Sequence, residues 1–335
     1  MHKNYKSSNN ILKSMFERVG WKMINFNTDL AVERNDIYRK ANNIEDKIEG
    51  IETEEEEISE TLKISRVKIV NEKGAEALGK PIGNYITLDI KKLKLAEVED
   101  IQKAAELVTK ELKELIDKHA EKQGDILIVG LGNAYVTPDS LGPKVVKDID
   151  ITRHLLKYAP EYIDPSTRPV TAIAPGVLGT TGIETVEIIK GIVDNIKPKL
   201  IIVIDSLSSK SIERISSTVQ IADTGIVPGA GVGNARNEIS KNTLNIPVIA
   251  IGVPMVVEAA TIASDSIDLF IEKLQQEAQS NEYLNQLKDV DKYELIREAL
   301  APKDYNLIVT PKEIDDLIEN MKDVLARGIN FALQG

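Results

Sequence analysis

Apolar and polar positions follow two rhythms along this chain, and glycine and proline mark most of the changes between them. Residues 1 to about 29 are polar and weakly periodic, which reads as an extension outside the core. The acidic stretch 43–60, NIEDKIEGIETEEEEISE, reads as a solvated loop. Order is expected from about Ser65, with RVKIV and YITLDI as short strands. Across 97–121 the apolar positions Ile101, Ala105, Val108, Leu112, Leu115 and Ile116 share one face of a helix. DILIVGL is a buried strand, because its apolar run is too short for a helix and is bounded by glycine. A helical pattern over 139–157, the strand RPVTAIAP and a helix over 181–196 follow, with Thr181 as its cap and Glu184 completing a capping box. KLIIVID, STVQIAD and IPVIAIGVP predict three more strands, and 254–275 a helix. Residues 276–310 read as a surface insertion, and KEIDDLIENMKDVLARGINFAL as a closing amphipathic helix. Buried strands alternating with helices predict an α/β fold, a mostly parallel sheet flanked by helices.

Composition narrows the classes. A chain of 335 residues with 42% hydrophobic content can bury one large core or two smaller ones. A formal charge of -11 argues against a direct grip on nucleic acid, which needs clustered Lys and Arg. There is no cysteine, so a thiol nucleophile, a disulfide framework and a cysteine-ligated metal are excluded. The first residues lack the apolar core and cleavage site of a signal peptide. No run approaches the roughly 20 apolar residues of a membrane span. A cytoplasmic protein is expected, without membrane contact.

Candidate chemistry lies where strands end, because ligands of open α/β sheets bind at the carboxyl ends of the strands. Asp205 ends LIIVID, and Asp139 follows DILIVGLGN in the stretch TPDSLGP. A carboxylate closing an apolar strand is costly to bury unpaired. Two of them on one sheet edge would share a proton and titrate apart, as acid/base work requires. Locally, each also fits a helix cap or turn residue. Gly130 and Gly132 suit a dinucleotide loop, but Tyr135 stands where the third glycine would fall. In APGVLGTTGIET, Gly176 and Gly179 keep the backbone open to a peptide or an oxyanion, or simply make a tight turn. Asp223 in Ala222-Asp223-Thr224-Gly225 leads into a glycine-rich loop with Gly229 and Gly231. A pepsin-type reading of Asp-Thr-Gly fails, since that fold is all-β and carries two such triplets. Of the histidines, His2 lies in the extension, and His119 and His154 on predicted helices; no H-E-x-x-H or G-x-S-x-G occurs. Carboxylates remain.

Long blocks of this chain resemble the germination protease of spore-forming bacteria: TDLAVE (28–33), GLGNAYVTPDSLGPKVV (130–146), APGVLGTTGIET (174–185), VIDSLSSKSIERI (203–215), ADTGIVPGAGVGNARNEIS (222–240) and IPVIAIGVPMVVEAATI (246–262). The resemblance implies a fold like the hydrogenase-maturation proteases and an endopeptidase that degrades small acid-soluble spore proteins in the spore core. It implies catalytic aspartates at Asp139 and Asp205 and a homotetramer made as a zymogen; no cofactor is expected. Val227 departs from the family, whose members usually have His in this loop. Substrates of the family are cut within a Thr-Glu-apolar-Ala segment, and Thr28-Asp29-Leu30-Ala31 copies that pattern. The expected organisation is therefore a propeptide, 1–29, cut between Asp29 and Leu30, and a single catalytic domain, 30–335. Gly176, Gly179, Asp223, Gly229 and Gly231 would serve as substrate loops. The alternatives are a metal-dependent maturation-type peptidase, with both aspartates as ligands, and a nucleotide-binding module using residues 130–142.

Overall fold

The apolar runs become the centre of one sheet. In the computed structural model, residues 28–45, 47–91, 98–121, 124–232, 236–277 and 307–334 are described, together with Phe26 and Ile296. Strands β4 (Ile126–Gly130) and β8 (Val248–Glu258) are buried at every residue, and β6 (Leu200–Ser208) at all but Ser206. Strands buried on both sides need cover on both faces. One face packs Ile128, Ile202, Ile204 and Ile251 under helix α3 (Val98–His119) and helix α10 (Ile314–Leu333). The opposite face packs Leu127, Val129, Ile201 and Val203 under α7 (Thr185–Ile196) and Leu244 of the short α8 (Lys241–Leu244). Further along that side, α1 (Ala31–Ala41) and Leu30 pack on Val67, Ile69, Tyr85 and Leu207.

The fold is α/β with flanking helices, and the sheet is mixed. With β1 (Ile51–Glu57), β2 (Leu62–Ile69), β3 (Gly83–Ile90), β5 (Val170–Ile173) and β7 (Thr218–Ala222), the order is β1-β2-β3-β7-β8-β6-β4-β5. The pairs β8–β6, β6–β4 and β4–β5 are parallel, while the four from β1 to β8 are antiparallel. A turn of four residues, 58–61, joins β1 to β2, and a connection so short can only return the chain antiparallel.

Several expectations change. The acidic stretch is largely a strand, not a loop: β1 is held to β2 by Lys63–Glu55 at 2.7 Å, Arg66–Glu56 at 3.2 Å and Lys68–Glu52 at 3.1 Å. Among the described residues, packing is already complete at Thr28, well before Ser65. Residues 139–157 form two helices, α4 (Leu141–Lys147) and α5 (Arg153–Tyr158), because Asn330 of α10 takes the Asp148 carbonyl at 2.9 Å and the Asp150 amide at 3.0 Å between them. The helix expected over 181–196 splits into α6 (Leu178–Thr181) and α7. Thr181 donates to the Val177 and Ile183 carbonyls, so Glu184 stands at the N-cap of α7 with no side-chain cap bond. Strand β8 runs to Glu258, delaying α9 (Ala259–Glu277), and β9 (Ile308–Val309) pairs with its end. Most of the 276–310 insertion, and residues 1–25, lie outside the described residues. Among the described residues no helix is long and apolar enough to cross a membrane.

Candidate active site

The parallel half brings two strand exits together. Gly130 of β4 pairs with Ile204 of β6, and the Leu131 amide donates to the Ile204 carbonyl at 2.8 Å. Asp205 therefore emerges beside the loop that carries Asp139. That loop folds back on itself: the Asp139 carboxylate accepts the Asn133 amide at 2.8 Å, so it closes its own loop and does not cap α4. Gly132, at φ +112°, permits the turn, since a Cβ there would stand 2.0 Å from the Asp139 carbonyl oxygen. Asp139 is half-buried, and burial raises its pKa against the opposing Asn133 amide.

Asp205 is 5% exposed and its carboxylate accepts the Ser206 amide at 2.9 Å. Burial, then the charges of Asp139 and Asp29, push its pKa well above the ordinary carboxylate range. Across the sheet Asp205 is level with Gly252, and Gly252 with Gln220 of β7. Registered residues point to the same face. Asp205 and Gln220 thus flank a glycine, with the Leu207 side chain nearest to it.

Into this space comes the segment Thr28–Ala31. Thr28, Leu30 and Ala31 are fully buried, so the end of the expected extension belongs to the packed structure. The Asp29 amide donates to the Ser208 carbonyl at 3.0 Å, and its carboxylate accepts the Ser208 amide at 2.9 Å. Gln220 donates to the Asp29 carbonyl at 3.3 Å and accepts the Ala31 amide at 2.7 Å, bracketing the Asp29–Leu30 bond. Arg34 donates to the Thr28 carbonyl at 2.9 Å. Glu33 accepts the Thr28 hydroxyl and the amides of Lys210 at 2.8 Å and Ser211 at 3.1 Å, fastening α1 to the exit of β6. Gly231 closes the cradle; a Cβ there would lie 2.2 Å from the Asp29 carboxylate. Burial raises the Asp29 pKa against Ser208, Lys80 and Arg34.

The other predicted residues separate. Asp223 is spent on structure: its carboxylate accepts the Asn84 amide at 2.8 Å and the Asn84 side chain at 2.6 Å, tying β7 to β3. Gly229 takes a positive φ of 74° in the turn before Ala230–Val232, and Val227 borders a cavity beside Asp29. Gly176 turns the chain out of β5 at φ +78°, on the edge shared with Asp139, whereas Gly179 faces open space. Arg236 and Glu184, 3.9 Å apart, link these two loops. His154 is exposed, and His119 lies 3.6 Å from Asp223. Among the described residues no group of three or more His, Cys, Asp or Glu is gathered as a metal site. Gln220, Arg34 and Lys80 were missed. The signal for Gln220 was a polar residue inside the otherwise apolar VQIA; the two cations carried none.

Comparison with known proteins first gives the class, a peptidase. The matching family is described as germination protease, over residues 27–286 and 282–335. A germination protease of Clostridium perfringens is 49% identical over 316 residues, covering 93% of this chain and 96% of the relative. One of Bacillus cereus is 42% identical over 342 residues, covering 91% and 93%. The chain belongs to the germination protease family. A NiFe hydrogenase maturation protease of Thermococcus kodakarensis is 19% identical, with a TM-score of 0.28 over 43% of this chain and 80% of that one.

Proposed function

We propose that this protease is an endopeptidase working through Asp139 and Asp205 without a metal, made as a zymogen that cuts itself between Asp29 and Leu30. The observation that carries this reading is the seating of Asp29 and its following peptide bond against Gln220, on the face that presents Asp205. Burial raises both carboxyls, but Asp205, deeply buried and beside two other carboxylates, is raised further than the more open, amide-bonded Asp139; Asp205 therefore holds the proton and Asp139 serves as the base. Asp139 takes a proton from water as the water oxygen bonds to the peptide carbon. Asp205 gives its proton to the carbonyl oxygen. The tetrahedral adduct then breaks its C–N bond: the amine leaves with the proton held by Asp139, and one hydroxyl of the adduct returns its proton to Asp205 as the carboxylic acid product forms. No cofactor enters.

Residues 1–29 are the propeptide and 30–335 a single catalytic domain. Thr28 and Asp29 fill the approach to Asp205, so the full-length chain is inactive. After the cut, the glycine loops around Gly176, Gly179, Gly229 and Gly231, with Asp223 as an anchor, admit small acid-soluble spore proteins in the spore core. The active form is a homotetramer. Maturation provides the test: the matured chain should begin at Leu30, and Asp205→Asn should stay full-length in isolation. A different mature N-terminus, or a full-length form as active as the trimmed one, sinks the proposal. Activity should also survive dialysis against a strong chelator; loss restored by one divalent ion would favour the metal-dependent alternative instead.

A further inference from the structure

The cradle of Asp29 has more positive charge than Asp29 uses. Lys80 follows Gly79, the left-handed C-cap of α2 (Glu72–Leu78), and its amide closes that turn on the Ala75 carbonyl at 3.2 Å. Arg34 clamps the same turn, donating to the Leu78 and Gly79 carbonyls at 3.1 and 2.9 Å. The Lys80 ammonium stands 5.2 Å over the ring of Tyr85. Among the described residues no carboxylate comes within ion-pair distance of it. Desolvation and the neighbouring Arg34 bring its pKa down to about 8, and Asp29 is the anion that opposes them. A cavity of about 110 Å³ borders Asp29, Lys80, Arg34 and Tyr85, with Glu238 also on its wall.

A partly buried cation with no carboxylate at ion-pair distance, beside a second one, is costly unless an anion completes the set. Asp29 does so at a distance, while its carboxylate rests on the Ser208 amide. Once residues 1–29 depart, Asp29 no longer offsets the two cations, and among the described residues lining the cavity only Glu238 remains acidic. Arg34 also regains the donor it spent on the Thr28 carbonyl, which suits the carbonyl of an incoming peptide one residue earlier.

We infer that Lys80 and Arg34, with the Ser208 amide, form the specificity pocket that reads an acidic side chain on the residue immediately before the cut bond. This rests on the reading of Asp29 as the residue before the cut. Lys80 supplies the charge preference, and Arg34 positions the preceding carbonyl and holds the Lys80 turn. Asp29 is then a tethered occupant of the substrate's own subsite.

The experiment uses the matured enzyme and two peptides that differ only in Glu or Gln before the cut. The wild type should favour Glu in kcat/KM by about tenfold or more, since a site built for one polar group penalises its loss. Lys80→Gln should bring that ratio to near unity, and Lys80→Arg should keep most of it. A ratio unchanged in Lys80→Gln overturns the pocket. Should Lys80→Gln not fold, the full-length chain decides: Asp29→Glu should mature at close to the wild-type rate and Asp29→Asn about tenfold slower. Equal maturation of Asp29→Asn and wild type overturns the pocket as well. By contrast, Asp205→Asn that still hydrolyses the Glu peptide would sink the underlying protease mechanism.

Discussion

The two halves of the sheet do different work. In the parallel half, β8-β6-β4-β5, strands run the same way and all end on one edge, so Asp205 and the Asp139 loop converge by backbone direction alone. In the antiparallel half, β1-β2-β3-β7, exits alternate, and contacts to the Thr28–Ala31 segment come from single side chains such as Gln220, in mid-strand. Helix α1 packs on the antiparallel half through Val67, Ile69 and Tyr85, yet hands Asp29 to β6. Under the proposed roles, chemistry and recognition are placed by separate structural rules, and a short segment crosses the seam between them.

This division can be broken from either side. The largest effect belongs to the parallel half: Asp205→Asn or Asp139→Asn should lower peptide turnover by roughly 10²–10⁴-fold with the fold intact by circular dichroism. A variant with near wild-type turnover would dissolve the division. Next comes a stability effect in the antiparallel half. Arg66 meets Glu111 at 2.6 Å, and the Glu111 side chain is only 2% exposed. Arg66→Met should cost about 3 kcal/mol in urea unfolding by stranding that carboxylate, while turnover per folded molecule holds.

A third expectation concerns pH. The Asp205 carboxyl is raised in the folded protein, so the folded state binds its proton more tightly than the unfolded chain does. Its contribution is complete below the unfolded value near 3.8 and is lost as pH rises through the folded one. Denaturant midpoints should show Asp205→Asn losing less stability than wild type between acid and neutral pH; parallel curves would contradict it. The smallest effect is at Gly179, with nothing within 4 Å of a Cβ. Gly179→Ala should raise stability by a few tenths of a kcal/mol in thermal unfolding. A large fall in kcat/KM there would show that substrate presses on that backbone.

What was legible follows from how local each cause is. Strands β4, β6 and β8 are apolar runs that bury themselves whatever surrounds them, and Asp205 was visible as the polar residue that ends one. Strand β1 was hidden because its glutamates are stabilised by Lys63, Arg66 and Lys68 on β2, which no local pattern reports. Gln220 carried no reading of its own within the predicted strand STVQIAD, and it is only 7% exposed, with the Ala31 amide donating to its side chain. The same segment drew attention by its resemblance to a cleavage motif. Its burial depends on Glu33 reaching Lys210 and Ser211, almost 180 residues away.

Strand β1 also bears on how crowded copies of the chain behave. It lies at the end of the strand order, and five of its seven residues are glutamate, carried on both sides of the ribbon. A bare edge is an invitation to any other strand, but a second β1 laid against this one would bring like charges into register at nearly every rung. The repulsion relaxes only when acid neutralises the glutamates or salt screens them. The acid-rich stretch that looked like mere solvated loop is in that sense a colloidal guard, keeping neighbouring molecules from zipping together along their sheets.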